Sequence, residues 1–144
     1  MFFFFTPDFM PKLPGAVTKF LERESLTWDE FETLLSACRR KHPDLTVGAL
    51  RTFVFIARRA ARDAEREPTI KDVAIALEIG HGTARRHCEI LSKGPSGRKG
   101  LGWIEKKVGD DARVKHLGLT AEGVCFLISV VSEMNKREPP LKAY

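Results

Sequence analysis

At 144 residues, with 43% apolar and 30% charged side chains, the chain is long enough for one domain with its own core and too apolar to be disordered. Three cysteines, odd in number and widely spaced, exclude a disulfide framework and suit a reducing, cytoplasmic compartment; no apolar run is long enough to span a membrane. The net charge of +5 is localised: His81 to His116 holds nine Lys and Arg against four acids, and the remainder of the chain is neutral. A neutral body with one basic quarter points to a polyanionic partner.

Residues 1–13, MFFFFTPDFMPKL, carry no basic residue before Lys12 and are interrupted by Asp8 and two prolines, unlike a secretory signal. They are expected to form an apolar arm that packs on the body or on a partner chain. Pro14 to Glu24 reads as a short helix with Val17, Phe20 and Leu21 on one side. Thr27 with Glu30 makes a capping box for a second helix, whose Trp28, Phe31, Leu34, Leu35 and Cys38 have the spacing of a single buried face. Thr46 opens a third helix, expected to run to about Arg66. Its broad apolar stripe places it centrally, and its second half pairs Arg58, Arg59, Arg62 and Arg66 with Asp63, Glu65 and Glu67 on a solvated face.

Thr69 caps a fourth helix, Ile70 to Leu77, and a turn from Glu78 to Gly82 leads into a fifth, Thr83 to Ser92, with Ala84, Cys88 and Leu91 inward. Two short helices about a tight glycine-containing turn are a helix-turn-helix. After the glycine-rich loop from Lys93 to Gly102, two strand-like arms, Trp103 to Val108 and Val114 to Leu119, flank a turn and predict a hairpin. The apolar run beyond Thr120 predicts a closing helix. The predicted fold is therefore mainly α with a small β-hairpin wing (α+β): a winged helix-turn-helix with N- and C-terminal dimerisation helices. Its parts are the arm (1–13), the N-terminal dimerisation helices (14–44), the DNA-binding domain (45–120) and the C-terminal dimerisation helix and tail (121–144).

The second helix of such a unit enters the major groove, and its first turns carry the side chains that reach base edges. That nominates His81, Gly82, Thr83, Arg85, Arg86 and Glu89, with arginine suited to guanine and threonine to phosphate or a thymine methyl. His87 lies at the margin of the inward face and is expected to pack. In the wing, Lys106, Lys107 and Lys115 are expected along the phosphate backbone and Arg113 in the minor groove. Asp111 would brace the tip by pairing with Arg113 or by holding the turn. Arg98 and Lys99 in the preceding loop are candidate phosphate contacts. The closing helix has apolar residues on nearly its whole circumference. A homodimer interface built from Phe20, Leu21, Val124, Leu127, Ile128 and Val131 would cover them.

Asp111-x-Arg113-x-x-x-Leu117-x-Leu119-Thr120-x-x-Gly123 resembles the wing-to-helix signature of MarR-type transcriptional regulators, and Thr69 to Leu91 is similar to their helix-turn-helix. The resemblance spans about Leu45 to Met134. It implies a homodimer with interlocking terminal helices that binds a pseudo-palindromic double-stranded operator, typically as a repressor, and it leaves room for a small-molecule effector. Ala112 stands where the family usually has a second arginine, the loop from Gly94 to Gly102 is longer, and Gly80-His81-Gly82 replaces a serine-rich helix start. An adaptor winged helix that binds protein and an RNA-binding winged helix are the alternatives.

No catalytic residue, cofactor or metal site is expected. The Gly94 to Gly100 stretch lacks the order of a phosphate loop, no cysteine pair has zinc spacing, and His81, His87 and Cys88 do not fall on one metal. Cys38 could sense oxidants, but on an apolar helix face it reads as an inert buried thiol.

Overall fold

The structure, a computed structural model, describes residues 13–22, 27–43, 45–63, 65–94, 99–111 and 113–137, with side chains as far as Met134. The arm before Leu13, Arg98 and Ala112 lie outside the described residues. In chain order the elements are α1 (Gly15–Glu22), α2 (Trp28–Lys41), α3 (Val47–Arg62), α4 (Ile70–Leu77), α5 (His81–Leu91), β1 (Ile104–Val108), β2 (Lys115–Leu119) and α6 (Ala121–Arg137). This is the mainly helical winged helix-turn-helix that the pattern predicted.

Local chemistry sets the helix starts. The Thr27 hydroxyl accepts from Glu30 N while Glu30 returns a carboxylate to Thr27 N, and Thr69 with Asp72 repeats the device at α4. Thr46 caps α3 by accepting from Ala49 N at 3.1 Å. These reciprocal bonds satisfy donors that a helix start leaves open.

Two boundaries differ from expectation. α3 stops at Arg62 because Asp63 turns out of the helix and its side chain accepts from Glu65 N at 3.2 Å, a local turn that competes with helical bonding. The acids beyond it therefore leave the helix face. Arg58, Arg62 and Arg66 have no ion pair among the described residues, and Arg59 lies over the Phe55 ring instead. α5 begins at His81, two residues early, with Gly80 as N-cap and the Gly80 carbonyl accepting from Ala84 N. Glu78 closes α4 in the left-handed conformation, φ 55° and ψ 49°, and Ile79 N reaches back to Ala74 O at 3.0 Å. The turn of the helix-turn-helix is thus Glu78 to Gly80.

The core runs between α3, α5, the hairpin and α6. Ala84, Cys88 and Leu91 are fully buried under α5, as expected. At its centre Trp103 stacks on Phe126 at 4.2 Å, with Phe53 of α3 at 4.8 Å from Trp103. The backbone of Trp103 is a joint: its N–H donates to Leu91 O at the end of α5, and its carbonyl accepts from Thr120 N at the start of α6. Gly123, one turn into α6, is required there. A Cβ at that position would collide with the Trp103 carbonyl, which is backbone and cannot swing aside.

Burial corrects two expectations about the terminal helices. Of the expected stripe α2 buries Cys38 and half-buries Leu34, while Trp28, Phe31 and Leu35 are 85%, 41% and 40% exposed and Glu30, Thr33 and Ala37 are buried instead. The small side chains of Thr33 and Ala37 allow close approach, and α2 packs on α6, where Arg40 pairs with Glu133 at 2.8 Å. α6 in turn is covered largely within its own chain. Leu21, Val124, Leu127 and Val131, expected at a dimer interface, are buried here because α1 and α2 pack across α6. Of that set Ile128 stays exposed, at 38%, and Phe20 is half-buried.

Candidate nucleic-acid interface

α5 presents one face outward. His81, Gly82, Arg85 and Arg86 are exposed, and Thr83 and Glu89 are half-buried at its edges. Arg86 Nη2 lies 3.4 Å from Thr83 Oγ1, so these two form a small cluster beside Arg85. No side chain caps the helix start, and a Cβ on Gly80 or Gly82 would meet nothing within 4 Å. The first-turn N–H groups therefore face open space, suited to a phosphate oxygen.

His87 packs, as its marginal position suggested. Its Nδ1 is 3.4 Å from Thr52 Oγ1, and its ring covers Gly48, where a Cβ would fall 2.8 Å from Nε2. Burial, and then the neighbouring Arg86 charge, hold its pKa below the ordinary 6.5. Burial pushes the Cys38 and Cys88 thiols up to about 11, which keeps both protonated and inert at neutral pH. Cys125 is exposed.

The wing is antiparallel, with Ile104 opposite Leu119, Lys106 opposite Leu117 and Val108 opposite Lys115 on one face. Glu105 and Lys107, opposite Gly118 and His116, lie on the other. Alternation therefore separates the three lysines that were expected to act together. Lys106 and Lys115 share a face, and Lys106 is near enough to Cys88 to oppose the rise in that thiol's pKa. Lys107 is held in an ion pair, with its ammonium 2.9 Å from Glu67 Oε2 and 3.5 Å from Glu105 Oε1. Burial works against its charge, yet the Glu67 hydrogen bond and the two carboxylates raise its pKa. Lys107 thus has carboxylate partners within the chain.

At the tip, Asp111 Oδ1 accepts from Arg113 N at 3.0 Å and lies 3.4 Å from Arg113 Nε. The brace combines both roles envisaged for it, and the Arg113 side chain is left 91% exposed. Lys99 is exposed. Sequence reasoning missed the anchoring of the wing. Leu117 N donates to Pro68 O at 2.8 Å, His116 bridges Thr69, and Glu67 holds Lys107. These partners are 40 to 49 residues apart, beyond any spacing rule.

Among the described residues no group of three or more His, Cys, Asp or Glu could hold a metal ion, and no helix is long and apolar enough to cross a membrane. Helices α4 and α5 about a three-residue turn, followed by an anchored two-stranded wing, define the fold as a winged helix-turn-helix. No protein-family model and no curated protein matches the chain. Among solved structures the fold is similar to that of MepR from Staphylococcus aureus, a transcription regulator of the multidrug efflux pump MepA. The TM-score is 0.54 at 19% identity, covering 82% of this chain and 84% of that one. A mutant of MepR from a multidrug-resistant clinical isolate gives a TM-score of 0.54 at 19% identity over 83% of both chains. The fold found is the winged helix-turn-helix that the Asp111 to Gly123 signature implied.

Proposed function

We propose that the protein is a sequence-specific double-stranded DNA-binding transcription regulator that acts as a repressor. The carrying observation is that Arg85 and Arg86 on the open face of α5 and Arg113 at the braced tip of the wing are exposed within the segment that holds all the net charge. In this reading α5 enters the major groove, Arg113 enters the adjacent minor groove, and Lys106 and Lys115 lie along the phosphates. The likeness to MepR, described as a transcription regulator, supports the same reading.

The active form is a homodimer on a pseudo-palindromic operator. Two copies would set their α5 helices about 34–36 Å apart, one turn of DNA. Exposed Ile128 and half-buried Phe20 are the interface positions left available by the packing of α6 within its own chain. A gel shift against the protein's own upstream DNA tests the reading. Arg85→Ala or Arg86→Ala should cost about 1–3 kcal/mol at a specific site without loss of folding. Equal binding by mutant and wild type would reject α5 as the reading helix. Sedimentation equilibrium should give about twice the 16.2 kDa chain mass, and a monomer at operator-binding concentrations would reject the palindromic mode.

A further inference from the structure

The last turn of α5 is tied down by backbone, with Leu101 N donating to Ile90 O at 2.9 Å and Trp103 N to Leu91 O at 2.8 Å. The half that carries Thr83 and Arg86 has less to hold it. No side chain caps its start, and the inward Ala84 and Cys88 offer small, non-directional surfaces. His87 supplies the exception. Among the described residues it makes the one polar side-chain contact from α5 to α3, with Nδ1 3.4 Å from Thr52 Oγ1.

This contact has a defined sense. Thr52 is fully buried and its hydroxyl already donates to Gly48 O at 3.0 Å, so toward His87 the oxygen accepts and the proton sits on Nδ1. Burial, and then the Arg86 charge, keep the ring neutral at pH 7, and its single N–H is spent on this bond. The Cε1–Nε2 edge of the ring fills the space over Gly48, where a Cβ would stand 2.5 Å from Cε1 and 2.8 Å from Nε2. The glycine opens a slot on α3, and the threonine fixes the imidazole in it. Thr83 lies one turn before His87 on the same flank of α5, and its Oγ1 is 3.4 Å from Arg86 Nη2.

We propose that His87 is a positioning residue for base readout: seated over Gly48 and bonded to Thr52, it sets the roll of α5 against α3 and so the aim of Thr83 and Arg86. This rests on the reading of α5 as the helix that enters the major groove. At a side-chain radius of about 5–6 Å, a roll of about 10° moves a tip by about 1 Å. Bidentate recognition of guanine does not survive such a shift, because both hydrogen bonds are short and directional. Phosphate contacts do, because they follow charge and carry no sequence information. Loss of the His87 contact should therefore erase discrimination between sequences and spare non-specific affinity.

The test is anisotropy with a labelled duplex of the protein's own upstream DNA and with a scrambled duplex of the same composition, beside urea titrations. His87→Ala should lower the preference for the upstream duplex by at least about 5-fold, the lower share of one bidentate base contact. Affinity for the scrambled duplex and its salt slope should stay unchanged. Thr52→Val, which removes the acceptor and keeps the shape, should act in the same direction. His87→Asn, whose amide nitrogen can stand where Nδ1 does, should restore most of the preference. Gly48→Ala should lower the preference too, and in the His87→Ala background it should cost nothing further, because the ring it meets is gone. Equal losses on both duplexes, or equal losses of preference in His87→Ala and His87→Asn, would reduce His87 to a packing residue and overturn the proposal. Arg86→Ala separates this outcome from failure of the reading of α5. A preference lost in Arg86→Ala but kept in His87→Ala overturns this proposal alone. A preference kept in Arg86→Ala, or absent from the wild type, overturns both.

Discussion

Lys107 should be the one wing lysine whose loss DNA does not register. Its ammonium is held by Glu67 at 2.9 Å and Glu105 at 3.5 Å, on the hairpin face opposite the one that carries Lys106 and Lys115 with the buried Ile104, Leu117 and Leu119. Each phosphate neutralised contributes about 0.9 to the slope of log K against log salt, so one contact is worth about 3.5-fold in affinity between roughly 50 and 200 mM salt. Lys106→Ala and Lys115→Ala should each flatten the slope by about 0.9 on any sequence. Lys107→Ala should leave the slope unchanged and lower the urea midpoint instead. Its ion pair is partly exposed on both sides, so the loss should stay within about 0.5–1 kcal/mol. Glu67→Gln is the sharper perturbation, since it weakens the hold on Lys107 and removes a negative charge beside the wing. The slope should then steepen toward one additional contact. Fluorescence anisotropy with a labelled duplex over that salt range reads all four variants. If Lys107→Ala flattens the slope as much as Lys115→Ala does, or if Glu67→Gln leaves it unmoved, the assignment of Lys107 to the body of the wing is wrong.

Arg113→Ala should lose more affinity on operators with A·T-rich flanks than on G·C-rich ones, because a narrow minor groove concentrates negative potential; equal losses on both in a gel shift would remove it from the minor groove. Gly123→Ala should destabilise the fold by about 1–3 kcal/mol in urea titration, since the added methyl meets the Trp103 carbonyl and backbone cannot yield as a side chain can. The folded state disfavours the protonated form of His87, so its contribution is fully present above the ordinary pKa of 6.5 and is lost as pH falls toward the lowered folded value. The urea midpoint of the wild type should therefore drop on acidification through this window more than that of His87→Gln, and parallel curves would contradict the assignment.

Features carried by near neighbours in the chain were legible in the sequence. The capping boxes at Thr27 and Thr69, the inward row of Ala84, Cys88 and Leu91, and the Asp111 brace all depend on residues a few positions apart. The Leu117-x-Leu119-Thr120-x-x-Gly123 pattern also has a local cause. Leu117 and Leu119 are buried, Thr120 OH donates to Gly102 O while its oxygen accepts from Gly123 N, and Gly123 makes room for Trp103. What the sequence hid was the neighbour of each face. Periodicity marked Trp28, Phe31 and Leu35 as a stripe, but α6 accepted the arc with the smaller side chains. A hydrophobic count on α6 could not tell cover by α1 and α2 from cover by a second chain. The ion pair of Lys107 was hidden because strand alternation separates adjacent lysines and its carboxylate partner comes from a distant loop.

Trp103 has a mechanical meaning beyond its place in the core. Its N–H is tied to the last residue of α5 and its carbonyl to the first turn of α6, while its ring is clamped between Phe53 and Phe126. A residue bonded at both ends and gripped in the middle behaves as a weld, not a hinge. α5, the wing and the N-terminal half of α6 therefore turn as one lever. In the two-fold assembly proposed above, a small tilt at the α6 end would be delivered undiminished to the separation of the two α5 helices. Control of DNA binding would then be a matter of leverage between two rigid halves, with no need to loosen either one.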